Sequence, residues 1–128
     1  ALPISKVDVG KLSELSTFPA NDYTDDGQLL GHIMIGAMEV QKHIDQIAGF
    51  PKRTASELIH CILAHHGELE YGSPKKPALA EAIALSFADN SDAKLETMRE
   101  ALSNIPENSL EWQGFNRFLD SNIRRTGK

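Results

Sequence analysis

Cysteine is nearly missing from this chain: 128 residues hold one, Cys61. A lone thiol forms no intramolecular disulfide, which excludes a disulfide-stapled scaffold and makes a reducing, cytoplasmic setting the expectation. Cys61 sits in the apolar run LIHCILA and reads as a small buried hydrophobe rather than a catalytic thiol. Long hydrophobic runs are missing too. Asp, Glu, Lys or His interrupts every apolar stretch before it reaches the length of a membrane span, so no membrane association is expected. The first residues, ALPISKVDVGKL, lack a basic segment followed by a long apolar run and do not read as a secretory signal. Basic residues are outnumbered, 13 against 18 acidic, for a formal net charge of −5. That balance argues against a free-standing nucleic-acid-binding module, which usually carries a basic face. Basic residues pair up only at Lys75–Lys76 and Arg124–Arg125. No repeat, low-complexity segment or clean two-residue alternation occurs, so little or no strand is expected.

What remains is an ordinary globular composition, 41% hydrophobic and 24% charged, of a length that suits a single domain over residues 1–128. The pattern predicts helices throughout. Ile4 to Leu15 reads as a short helix weakened by Gly10. A long helix is predicted from about Gln28 to Ala48, capped by Asp25 or Asp26 and ended by Gly49 and Pro51. Its apolar surface would be Leu29, Ile33, Ile35, Met38, Val40, Ile44 and Ile47. A second helix begins near Thr54 or Ser56 and runs to His65, with Gly67 ending it. Gly67 to Pro77 reads as a loop, and about Ala78 to Asn104 as a long helix. Trp112, Phe115, Phe118, Leu119 and Ile123 near helical spacing predict a short docking helix whose aromatics are expected to pack in a core, the alternative being a contact surface for a partner.

Four clusters could carry chemistry. In Ala64-His65-His66-Gly67, two adjacent histidines end an apolar helix. Neighbours on a helix point about 100 degrees apart, so a helix ending there would aim them at two neighbouring ions. Imidazole suits borderline divalent metals, while helix-end histidines also answer the macrodipole; the two readings stand side by side. A lone His near the start of an apolar helix, as His32 is, reads first as a hydrogen-bonded structural residue, while Gly31 beside it would let something approach closely. Glu39 and His43, on roughly the same face, read as solvated or supporting residues. Asp89 opens the polar group Asp89-Asn90-Ser91-Asp92 that interrupts an apolar helix; burying its carboxylate calls for a cation. Asp8, in Val7-Asp8-Val9-Gly10-Lys11, says little alone. Together Asp8, His32, His65, His66 and Asp89 make an imidazole-and-carboxylate set suited to a dinuclear site for Mn, Fe, Mg or Zn, able to activate water and clamp a phosphoryl group.

The stretches Asp8-Val9-Gly10-Lys11-Leu12, Gly27-Gln28-Leu29-Leu30-Gly31-His32, HHGELEYGSPKKP from His65 to Pro77, and Ala88-Asp89-Asn90-Ser91-Asp92 resemble, in order and spacing, the HD superfamily, and more specifically the HD domain of YhaM-type bacterial 3′–5′ exoribonucleases. The resemblance implies an all-α, HD-like helical bundle, incomplete at its N-terminal side and thus a piece of a larger HD domain. It implies a divalent-metal site on Asp8, His32, His65, His66 and Asp89, with Lys11 touching phosphate. Tyr71, Ser73, Lys75 and Lys76 would form a loop beside it. The implied activity is metal-dependent hydrolysis of a phosphodiester, at the 3′ end of RNA or single-stranded DNA. The chain departs from the pattern at Val7, where the family carries the His of its His-Asp pair. The family's earlier ligating His and its OB-type domain would lie upstream, so nucleic acid would be gripped through those parts. Two alternatives accompany this reading. One is a catalytically degenerate module for assembly or regulation, in an oligomer if need be. The other is hydrolysis of a nucleotide, which the acidic balance suits.

Overall fold

A computed structural model describes residues 24–127. Asp8 and Lys11, and the helix expected from Ile4 to Leu15, lie outside the described residues. Three α-helices dominate: α1 (Asp25–Asp45), α2 (Lys52–Ala64) and α3 (Ala80–Leu102). A 3-10 turn spans Leu69–Tyr71, and a minimal antiparallel hairpin pairs β1 (Phe115–Asn116) with β2 (Ser121–Asn122). The fold is mostly helical, as expected from the periodicity. No helix among the described residues is long and apolar enough to cross a membrane.

The chain divides into two compact units, Ala1–Asp89 and Asn90–Lys128. In the first, α1 packs against α2. Thr24 caps α1, its hydroxyl accepting from the Gly27 N–H at 3.0 Å, so the helix starts one turn earlier than the capping aspartates suggested. Asp25 and Asp26 then occupy the first turn, and Lys42 and His43 the last, both favourable to the helix dipole. The buried stripe is narrower than expected. Ile33, Ala37 and Ile44 lie inside with Ile35 and Gly36, whereas Leu29, Met38 and Ile47 are exposed. α1 is broken at Gly31, whose φ of 74° and ψ of 159° lie outside helical space. Nothing lies within 4 Å of where a Gly31 Cβ would stand, so the glycine serves this break and not a close approach.

α3 runs through the polar group Asp89-Asn90-Ser91-Asp92, in keeping with the long helix expected from about Ala78 to Asn104. The Ala, Leu, Glu and Lys residues on either side carry the helix across these weaker formers. In the second unit, the Arg125 guanidinium donates to the carbonyls of Leu102 (2.5 Å) and Ile105 (2.9 Å), closing the C-terminal end of α3. The docking helix expected around Trp112 to Ile123 is instead the hairpin. Gly114 (φ 91°) and Asp120 (φ 53°) adopt left-handed conformations that no α-helix accommodates. Asn116 stabilises the turn by accepting from the Leu119 N–H at 3.0 Å.

Candidate metal centre

At the end of α2 its last three carbonyls are taken. The Ile62 carbonyl accepts from His65 Nδ1 at 2.5 Å, the Leu63 carbonyl from Ser73 Oγ at 2.5 Å, and the Ala64 carbonyl from the Gly67 N–H at 2.9 Å. This closure turns His65 inward, and its side chain is 0% exposed. A carbonyl only accepts, so His65 Nδ1 carries the hydrogen, and in the neutral ring Nε2 is left with its lone pair. His66 is held in the same manner. Its Nδ1 lies 2.8 Å from the Tyr71 carbonyl, at the end of the 3-10 turn. Both histidines lie past the last helical residue, so the 100-degree argument does not govern them, and their ring centroids approach to 4.4 Å.

His32 joins them from α1. Its Nε2 is 3.3 Å from His66 Nε2, and its ring centroid lies 5.1 Å from that of His66 and 6.2 Å from that of His65. The ligand atoms of the three imidazoles all fall within 4.8 Å of one another. Two nitrogens each about 2.1 Å from one ion stand roughly 3–3.5 Å apart, so the His32–His66 separation fits a shared divalent cation. The donor set fits as well. The three histidines come from α1 and from the turn that closes α2, and two of them are oriented by carbonyls behind them, the arrangement that fixes the tautomer and ring orientation in metal sites.

Asp89 is half-buried on α3 and is not part of this group of three. Ser86 nevertheless stands against Gly67. A Cβ there would come 2.4 Å from Ser86 Oγ, at a φ of +82°. Asp89 follows Ser86 by three residues and lies on the same helix face. Glu39 is half-buried and His43 exposed.

Two contributors carry no chemical signature in the sequence. His60 Nε2 accepts from the Ala78 N–H at 2.9 Å, tying the run into α3 back to α2. Ser73 is 2% exposed and reaches both the Leu63 and Lys75 carbonyls, the latter at 3.0 Å, so the loop beside the histidines is anchored rather than a simple surface turn. Lys76 pairs with Glu68 at 3.0 Å on the outside of the same loop. Ser73→Ala is expected to lower stability by about 1–3 kcal/mol, because the one hydroxyl hydrogen that the Leu63 and Lys75 carbonyls share is lost from a buried position. Urea denaturation measures it, and a change below a few tenths of a kcal/mol would show the loop to be held otherwise. Burial, followed by the charges of Glu81 and Glu57, raises the Cys61 thiol above its ordinary value, which disfavours the reactive thiolate.

No family model matches the chain, and no solved structure matches it. Among curated proteins it is similar to the 3′-5′ exoribonuclease YhaM of Bacillus pumilus (strain SAFR-032), 41% identical over 98 residues, and to that of Bacillus subtilis (strain 168), 42% identical over 98 residues. The protein of the same name from Bacillus velezensis is 42% identical over 101 residues. In each case the match covers 77% of this chain and 31% of the relative, so the chain spans under a third of their length. Over that 77%, the chain is a homologue of the YhaM 3′-5′ exoribonucleases.

Proposed function

We propose that this chain is part of an HD-type, metal-dependent phosphohydrolase that shortens RNA from its 3′ end. The observation that carries the reading is the convergence of His32, His65 and His66, with His65 and His66 locked from behind by the Ile62 and Tyr71 carbonyls. Asp89, on the α3 face that meets Gly67, is proposed as a further ligand. Asp8 is proposed to complete the set, and Lys11 to meet phosphate. A divalent ion held by these residues supplies Lewis acidity, making water a better nucleophile and offsetting phosphate charge. The chain's own contribution is rigidity. Buried His65 cannot swing away, His66 is tied to the loop, and that loop is pinned by Ser73. The acidic balance of the chain leaves a large share of the RNA grip to the ion and to other parts of a longer protein.

The test has two readouts. Elemental analysis follows dialysis against trace Mn, Fe, Zn and Mg, and the expected result is one or two ions per chain. The loaded protein is then given a 5′-labelled single-stranded RNA, and stepwise loss from the 3′ end is expected. Uridine monophosphate serves as the competing small substrate. Val7, where the family carries a His, favours the second reading, a degenerate module; bound metal with no turnover of either substrate would establish that reading instead. Preference for the mononucleotide would replace RNA as the substrate class.

A further inference from the structure

α3 meets the turn that carries His65 and His66 through a close contact, and that contact stands between two segments with ligand-type side chains. Gly67 follows His66 directly, and Ser86 precedes Asp89 by three residues. A Cβ at Gly67 would stand 2.4 Å from Ser86 Oγ and 3.7 Å from Ser86 Cβ. The approach therefore needs no side chain at position 67 and a small one at position 86. Backbone conformation makes the same demand of Gly67, whose φ is +82°.

Three points seat the start of α3 within the first unit. The Ala78 N–H, just ahead of the helix, donates to His60 Nε2 at 2.9 Å. Ala82 is 0% exposed. Ser86 stands against Gly67. They follow one another at intervals of four residues, the spacing of one helix face. Asp89 continues that face and is half-buried. It falls outside the group of ligand atoms that lie within 4.8 Å of one another, so its approach to an ion on the imidazoles depends on how α3 is seated. Ser86 is the last of the three points before Asp89. Three helical residues rise only about 4.5 Å, so a shift at Ser86 passes to Asp89 nearly undiminished.

We propose that Ser86 is a positioning residue of the metal centre: its small side chain, seated on Gly67, sets how closely α3 approaches His66 and thereby brings the Asp89 carboxylate to the ion. This rests on the reading of Asp89 as a ligand, and it can fail alone. Manganese chloride and zinc chloride are titrated separately into the metal-free full chain, with free Mn read by electron paramagnetic resonance and free Zn by an indicator dye. A carboxylate oxygen suits Mn, whereas imidazole serves Zn well. Asp89→Asn is therefore expected to lower Mn affinity by about tenfold or more, and Zn affinity by less. Ser86→Leu fills the space against Gly67 and should reproduce that loss with the same bias toward Mn. Ser86→Ala keeps the side chain small and should bind both ions within about twofold of the unaltered chain. Adding Ser86→Leu to Asp89→Asn should cost no further Mn affinity, because both act through one ligand. Circular dichroism checks each fold, and Ser86→Val replaces Ser86→Leu if the leucine prevents folding. Unchanged Mn affinity in Ser86→Leu overturns the role of Ser86 and leaves Asp89 a ligand. Equal losses of Mn and Zn overturn it, since α3 would then act on the fold or on the imidazoles, and an additive loss in the double variant does the same. A loss in Ser86→Ala overturns it in favour of the hydroxyl itself. Unchanged Mn affinity in Asp89→Asn removes Asp89 from the centre and the role of Ser86 with it. RNA shortening enters none of these readouts.

Discussion

Replacing His66 with alanine is expected to lower divalent-metal affinity by at least about 100-fold while leaving the fold nearly intact. The reference for that magnitude is the loss of a supporting partner, which alone costs 10- to 100-fold in metal sites; a ligand should cost no less. His66 is half-buried, and its loss removes the hydrogen bond to the Tyr71 carbonyl and the 3.3 Å contact with His32 Nε2, each worth about 1 kcal/mol at most. His65→Ala should lower affinity as much but behave differently in denaturation. That ring is wholly buried and donates to the Ile62 carbonyl, so removing it leaves a void and an unmatched carbonyl, for about 2–3 kcal/mol. Urea unfolding with and without Mn or Zn separates the two effects. Bound metal stabilises the unaltered protein by mass action and should stabilise neither variant. Equal metal content in His66→Ala and the unaltered chain would remove the three-histidine centre from consideration.

Gly31→Ala should damage the site without touching a ligand. The Gly31 conformation, φ 74° and ψ 159°, belongs to a region open essentially to glycine alone, so alanine there costs about 1–3 kcal/mol or forces the helix to straighten. Straightening matters because helical side chains lean back over the preceding turn. In an unbroken helix the His32 ring would lie against Gln28 and Leu29. The break at Gly31 moves that turn aside and leaves the ring facing His66. Metal affinity is therefore expected to fall by about tenfold or more together with stability. Gly49→Ala is the control: its φ of +73° imposes a similar backbone cost, with nothing within 4 Å, between α1 and α2. Gly49→Ala should lose stability and keep its metal affinity. Equal metal affinities in the two variants would mean that the kink does not position His32.

The helices were legible because the signals for them are local. Apolar periodicity, good helix formers and the Gly49–Pro51 stop act within a few residues, and α1, α2 and α3 appear within a few positions of where those signals place them. The C-terminal segment was misread because spacing near a helical period competes with backbone conformation. Gly114 and Asp120 at positive φ decide for a hairpin, and the aromatics then face outward rather than into a core. His32, His65 and His66 stood out in the sequence by residue type and by their resemblance to a family pattern. Their approach could not be read there, since His32 is separated from His66 by 34 positions and a helix packing.

The sequence by itself determined the residue types able to bind a metal, the helices that carry them and the glycines that end those helices, but not the break at Gly31. Only the tertiary structure decided that three imidazoles meet, that His65 and His66 are oriented by the Ile62 and Tyr71 carbonyls, and that Ser73 holds the loop in place. The reason is physical. Helix formation depends on neighbours along the chain, whereas the direction of a side chain past a helix end depends on which orphan carbonyl lies within reach, and packing between distant segments settles that.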